Sequence, residues 1–123
     1  VSFKGFQEPL PYYEKAAVFM SCSPVEGFPL SVLEAMQNAV IPVVASDVEV
    51  FPDIFTHGES GLLYRYSDLD GCLEGLVSLM EDRGKREKMA EAALRQSENF
   101  RAERIMGMYA SLYREFLPEE KAE

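Results

Sequence analysis

Glu26-Gly-Phe-Pro-Leu-Ser-Val-Leu-Glu34-Ala-Met-Gln-Asn-Ala-Val-Ile-Pro-Val-Val-Ala-Ser46 decides how this chain is read. It parses as a turn, a helix and a buried strand. Val18 to Ser23 before it (Val-Phe-Met-Ser-Cys-Ser) is a short apolar run that suits a parallel strand buried on both faces. Pro24 ends that strand, and Gly27 allows a close backbone approach to a ligand or a positive φ. Pro29 suits the first turn of a helix, because its missing N–H would have been unpaired there anyway. The helix is expected to run to about Asn38, with Ile41 to Ala45 as a second buried strand. The result is a βαβ unit whose helix N-terminus faces the crevice at the strand carboxyl ends, where open α/β sheets bind ligands.

Glu26 and Glu34 stand eight positions apart in that crevice. Glu26 lies in the loop, and Glu34 lies roughly five residues into the helix, ~7–8 Å along an axis that rises ~1.5 Å per residue. That offset is about the size of a sugar ring. Between the acids lie the free N–H groups of the first helical turn, which favour an anion such as a phosphate. A carboxylate accepts two hydroxyl hydrogen bonds at once, so it is a handle for a sugar diol. A phosphate between two carboxylates, each facing a sugar, describes a nucleotide sugar.

The stretch resembles the retaining GT-B glycosyltransferases of family 4, the group 1 glycosyltransferases. Their segment reads roughly Glu-Gly-Phe-Gly-Leu-x-x-x-Glu-Ala-Met-x-x-Gly-x-Pro-Val-Val-Ala-Ser. The chain supplies Glu26, Gly27, Phe28, Leu30, Glu34, Ala35, Met36 and Pro42 to Ser46. The likeness continues through Asp53-Ile54, Gly58, Gly61-Leu62-Leu63 and Asp68 to the C-terminal helices. It implies an α/β fold: a partial Rossmann-like parallel sheet of about four strands flanked by helices, with C-terminal helices. Residues 1–117 would be the C-terminal part of a GT-B nucleotide-sugar-binding domain, and 118–123 a polar tail.

By resemblance, Glu26 is the catalytic acid that contacts the donor sugar near the reacting carbon. Glu34 is the acid that holds the ribose hydroxyls, and the amides of Leu30 and Ser31 receive the diphosphate. Gly27, Phe28 and Pro29 complete the donor loop, with Pro29 standing where the family usually has Gly. Gly5 and Phe6 match the family loop near the nucleotide base, although an ordinary strand-end turn explains them equally well. No metal and no separate cofactor are expected, the substrate being a nucleoside diphosphate sugar.

Twenty-one acidic against twelve basic residues leave a net charge of -9. That balance argues against nucleic acid or an anionic membrane as the main partner. Hydrophobic residues make up 47% of 123 residues, enough for one domain with a single core. Cys22 and Cys72 read as buried, reduced thiols. With no span-length apolar stretch and no signal peptide, the expected location is cytoplasmic, membrane-peripheral in a longer parent protein.

Val1 to Phe6 alternates apolar and polar residues and predicts an edge strand; Pro11 to Ala17 predicts a short helix, with Tyr12 and Tyr13 as packing residues. Val48 to Asp53 replaces the glycines the family has there, and His57 reads as a turn residue. Gly61 to Tyr64 is a last strand. Asp68-Leu69-Asp70 invites a metal reading, but it precedes a helical stripe at Leu69, Cys72, Leu73, Leu76, Val77 and Met80, so Asp68 or Ser67 is expected to cap a helix. A charged helix from Arg83 to about Ser97 should bury Met89, Ala93 and Leu94. A last helix, Arg101 to Phe116, should present Ile105, Tyr109, Leu112, Tyr113 and Phe116 on one face.

In the resembled family the active site lies between two Rossmann-like domains. The acceptor domain and the first two βα units of the donor domain, which bring an Arg and a Lys to the diphosphate, have no counterpart here. The chain alone is therefore expected to be inactive, and its open sheet edge is expected to drive homodimerisation. The alternatives are a non-catalytic nucleotide-sugar-binding module or subunit of a split enzyme, a GT-B epimerase, and an α/β domain without a ligand.

Overall fold

A computed structural model of the chain describes residues 1–117; the tail at 118–123 and the helix stop expected at Pro118 lie outside the described residues. In chain order the elements are α1 (Leu10–Tyr13), β1 (Val18–Ser21), α2 (Leu30–Gln37), β2 (Ile41–Ala45) and α3 (Phe51–Ile54). Then come β3 (Leu62–Tyr64), α4 (Leu69–Glu81), α5 (Arg83–Ser97), a 3-10 turn (Glu98–Phe100) and α6 (Ala102–Phe116). The three strands form one parallel sheet in the order β1-β2-β3, with Val18 opposite Ile41 and Val43 opposite Leu62.

The strand expected at Val1–Phe6 does not form. That segment is exposed throughout, and Gly5 takes φ +65, which turns the backbone out of an extended course. An isolated amphipathic hexapeptide gains a strand only by pairing, and residues 1–6 do not pair with the open outer edge of β1. The sheet therefore has three strands instead of about four. For the same reason β1 is half-buried rather than buried on both faces, and its Met20 is exposed.

All five residues of β2 are buried. Val44 faces a cluster with Val32, Leu33 and Met36 of α2 and with Phe51, Ile54 and Phe55 around α3. Ile41, Val43 and Ala45 face Leu62, then Cys72 and Leu79 of α4 and Met89 of α5. Pro42 is unusual in a central strand, because it cannot donate to the ladder. Its position removes the cost: β3 begins at Leu62, opposite Val43, so Pro42 lies where that side of the ladder has not yet started. Gly61 is required there, since an added Cβ would come within 2.7 Å of the Pro42 ring and 2.5 Å of Phe55.

Helix ends follow local rules. Asp68 Oδ1 accepts from Gly71 N–H at 3.1 Å, so the Asp-x-Asp triplet is a cap, as its position before an apolar stripe implies. Asp82 caps α5 in the same way through Lys85 N–H at 2.9 Å. At the end of α2, Val40 N–H reaches Ala35 O (2.9 Å) and Ala39 N–H reaches Met36 O (3.0 Å), a Schellman closure. Its left-handed residue is Ala39, with φ 56, where glycine is usual.

Two stripes differ from expectation. On α4 only Cys72 and Leu79 are buried and Leu76 is half-buried, while Leu69, Leu73, Val77 and Met80 stay exposed. The helix meets the sheet along a narrow line through Gly75, where an added Cβ would have to displace the Tyr64 hydroxyl. On α5 the buried residues are Met89, Ala92, Ala93 and Ser97, and Leu94 is exposed. His57 does more than turn the chain. Its Nδ1 accepts the N–H of Leu63 at 2.9 Å, on a strand that has β2 on one side only.

Ala39→Gly is expected to stabilise the protein by about 1 kcal/mol by relieving the left-handed alanine. Gly61→Ala is expected to cost about 1–3 kcal/mol through overpacking. Urea unfolding midpoints should move in opposite directions for the two variants.

Candidate functional site

The carboxyl ends of the three strands are tied by one buried serine. Ser46, at the end of β2, donates its N–H to Tyr64 O (2.9 Å) and its hydroxyl to Ser23 O (2.8 Å). The same hydroxyl accepts from Val48 N–H at 3.2 Å. The loops after β1, β2 and β3 are thereby held in fixed relation, and the loop after β1 carries Glu26 to Pro29. Glu26 is half-buried, and Gly27 and Phe28 are exposed.

Pro29 is fully buried, with φ -79 and ψ 80. These angles make an inverse γ-turn, closed by Leu30 N–H donating to Phe28 O at 2.9 Å. Pro29 O then accepts from Val32 (3.1 Å) and Leu33 (3.3 Å). Of the two amides expected to meet a diphosphate, that of Leu30 is thus engaged inside the loop. The amide of Ser31 has no hydrogen-bond partner among the described residues. It is the open donor at the N-terminus of α2, where the helix dipole adds positive potential.

Glu34 is exposed on α2. Beneath it lies Tyr13, 8% exposed, whose ring meets Phe19 edge-on at 6.0 Å and whose hydroxyl donates to Ser31 O at 3.3 Å. Burial raises the Tyr13 pKa, and the negative charge of Glu34 raises it further. The sequence reading of Tyr13 as a packing residue holds, but it missed this polar end. Only the tertiary contact between α1 and α2 reveals it.

Phe28 is not free in solution. Its ring packs against Phe100 at 6.0 Å and a 54° tilt, and Phe100 in turn rests on the cluster around Val44. The loop from Glu26 to Pro29 is thus seated on the 3-10 turn from which α6 departs. Nothing in the order of residues links positions so far apart, and Phe100 was not among the expected site residues.

Gly5 and Phe6 lie in the N-terminal segment, apart from these groups. Gly5 lines an open groove of about 730 Å³ with Phe3, Lys4, Tyr12, Tyr13 and Phe19. Phe6 projects fully into solvent. Cys22, expected to be buried, is exposed because β1 is an edge strand; Cys72 is buried, and burial raises its pKa. No group of three or more His, Cys, Asp or Glu gathers as a metal-binding cluster among the described residues.

Residues 1–96 match the family model described as glycosyl transferases group 1. The chain belongs to that family. It is 34% identical over 122 residues to a lipopolysaccharide core biosynthesis mannosyltransferase of Rhizobium meliloti, covering 93% of this chain and 34% of the relative. It is also 34% identical over 98 residues to an N-acetyl-alpha-D-glucosaminyl L-malate synthase of Bacillus anthracis, covering 78% and 25%. The chain thus spans about a quarter to a third of the length of these relatives. The crystal structure of the C-terminal domain of a group 1 family protein from Francisella tularensis superposes with a TM-score of 0.67. That match has 23% identity and covers 80% of this chain and 51% of that one. It shows the fold, the C-terminal domain of a GT-B enzyme. No helix among the described residues of this family member is long and apolar enough to cross a membrane.

Phe100→Ala should loosen the Glu26–Pro29 loop. We expect faster amide hydrogen exchange at Gly27, Phe28 and Leu30 and a stability loss of about 1–3 kcal/mol. Unchanged exchange in that loop would show that Phe28 does not depend on Phe100.

Proposed function

We propose that this chain is the donor-binding part of a retaining glycosyltransferase, which moves a sugar from a nucleoside diphosphate sugar to an acceptor. The observation that carries the reading is the arrangement around the start of α2. An open Ser31 amide and the helix dipole lie between Glu26 in the preceding loop and Glu34 on the helix. Glu26 would face the donor sugar near the reacting carbon, Glu34 would take the ribose diol, and Ser31 would take the diphosphate. The Leu30 amide would join only if the inverse γ-turn at Pro29 opens. Neither a metal nor another cofactor is part of this scheme.

Charge completes the argument. Departure of a nucleoside diphosphate is assisted by cations aimed at the developing charge. The family supplies these from βα units that this sequence does not match, so the chain by itself should bind a nucleotide without turning it over. In the proposed enzyme an N-terminal domain binds the acceptor, and α6 packs on it. The face expected on that helix fits such a role, since Tyr109, Leu112, Tyr113 and Phe116 are all exposed. The unpaired outer edge of β1 is a template for pairing, which in the chain alone would favour self-association.

Titration of UDP, GDP and ADP into the chain by calorimetry or ligand-observed NMR tests the reading. We expect one base to be preferred and Glu34→Ala to weaken it by about ten- to a hundredfold, as loss of hydrogen bonds to a charged acceptor predicts. Equal binding by the wild type and Glu34→Ala would remove the ribose role of Glu34.

A further inference from the structure

We propose that Ser46 is a positioning residue for Glu26: its hydroxyl ties the loop after β1 to the loop after β2 and so fixes where the Glu26 carboxylate meets the donor sugar. The proposal rests on the reading of Glu26 as the acid that faces that sugar.

The backbone and the side chain of Ser46 serve different neighbours. Its N–H donates to Tyr64 O at the end of β3 (2.9 Å), a bond that any residue except proline could make. Its hydroxyl donates instead to Ser23 O at 2.8 Å, in the loop after β1. The last paired residue of β1 is Ser21, opposite Val44, so the ladder stops short of Ser23. The hydroxyl carries the connection past the end of the strand. The same oxygen accepts the N–H of Val48 at 3.2 Å, in the loop after β2. Ser46 is buried, its one hydroxyl proton is committed to Ser23, and its oxygen is committed to Val48. The group is therefore a tie between two loops rather than a contact for a ligand.

The tie acts on Glu26 through a short, stiff stretch. A fixed Ser23 carbonyl sets the plane of the Ser23–Pro24 peptide, and the Pro24 ring restrains the next φ. Only Val25 separates Pro24 from Glu26. On the far side, the inverse γ-turn at Pro29 holds Phe28 O against Leu30 N–H. Glu26 thus lies between two pinned carbonyls, with Gly27 as the one residue of the span that turns freely. Release of Ser23 would let the span pivot at Gly27. A carboxylate meets a hydroxyl at ~2.5–3.0 Å, so a shift of ~1 Å is enough to weaken that bond. Were the Ser46 hydroxyl present only to satisfy two backbone groups, its loss would weaken every ligand alike.

Calorimetric titration compares each bare nucleotide with its sugar conjugate: UDP with UDP-glucose, GDP with GDP-mannose and ADP with ADP-glucose. The proteins are the wild type, Ser46→Ala, Ser46→Thr, Glu26→Gln and the Ser46→Ala, Glu26→Gln double variant. The wild type should favour one conjugate over its bare nucleotide by about tenfold, as expected for hydrogen bonds to a charged acceptor. Ser46→Ala should lower that preference to about threefold and leave the bare nucleotide unchanged, because only the placing of the acceptor is lost. Ser46→Thr keeps the hydroxyl and should keep the preference. Glu26→Gln should abolish it, and adding Ser46→Ala should change nothing further. If Ser46→Ala weakens both forms equally, Ser46 is scaffold only and the proposal falls. Should Ser46→Ala fail to fold, Ser46→Cys, whose thiol is a weak donor, carries the same comparison.

These outcomes separate the proposal from the reading beneath it. A wild type that binds no conjugate better than its bare nucleotide would overturn the role of Glu26, and the proposal with it. A preference that needs Glu26 but survives Ser46→Ala intact would keep that role and overturn the part given to Ser46. Amide exchange without ligand adds a second readout. Ser46→Ala should speed exchange at Val25, Glu26 and Gly27 by about tenfold while Ala35 and Met36 in α2 keep their rates. Acceleration spread evenly over the chain would show a general loss of stability and count against the tie.

Discussion

A strand with no surface left to water sets the terms for the rest of the molecule. The five residues of β2 must have both faces covered by apolar groups and their ladder satisfied on both sides. The first demand places α2 and α3 on one face and α4 on the other, with α5 contributing Ala93 to the first of the two larger clusters and Met89 to the second. The second requires β1 and β3 as parallel neighbours. Parallel neighbours need crossovers, and the crossover from β1 to β2 is α2, the helix that carries Glu34 and opens beside Glu26. The site is thus a by-product of how β2 is buried.

What holds the site in shape is polar and local. Ser46 joins the ends of all three strands through three hydrogen bonds, which turns three separate loops into one rim. Pro29 then fixes the entry to α2 and engages the Leu30 amide, leaving Ser31 as the open donor. A looser residue at Pro29 would free backbone N–H groups at the cost of order. Pro29 therefore keeps the loop in one conformation at the cost of a backbone N–H group.

The molecule is also open in ways that matter. The outer edge of β1, the stripe Leu69-Leu73-Val77-Met80 on α4 and most of α6 carry apolar groups without partners among the described residues. Phe100 connects this surface to the site, since it supports Phe28 on one side and leads into α6 on the other. A change in the setting of α6 would be felt first by the Glu26–Pro29 loop.

The order of residues alone determined the βαβ unit, the cap at Asp68, the extent of β2 and the pair of acids at the start of α2. These depend on short-range rules: period, proline and glycine placement, and capping. The ordered string from Glu26 to Ser46 also led to the family. Only the tertiary structure decided the fate of Val1–Phe6, the exposure of Cys22 and Leu94, and which half of the α4 stripe is buried. Each of these depends on which neighbours are present, and amphipathic periodicity looks the same whether or not a partner exists. Tyr13, Ser46 and Phe100 became part of the site for the same reason. Their importance lies in contacts across 18, 23 and 72 positions of chain, and no local pattern encodes a hydrogen bond or a ring contact over such separations.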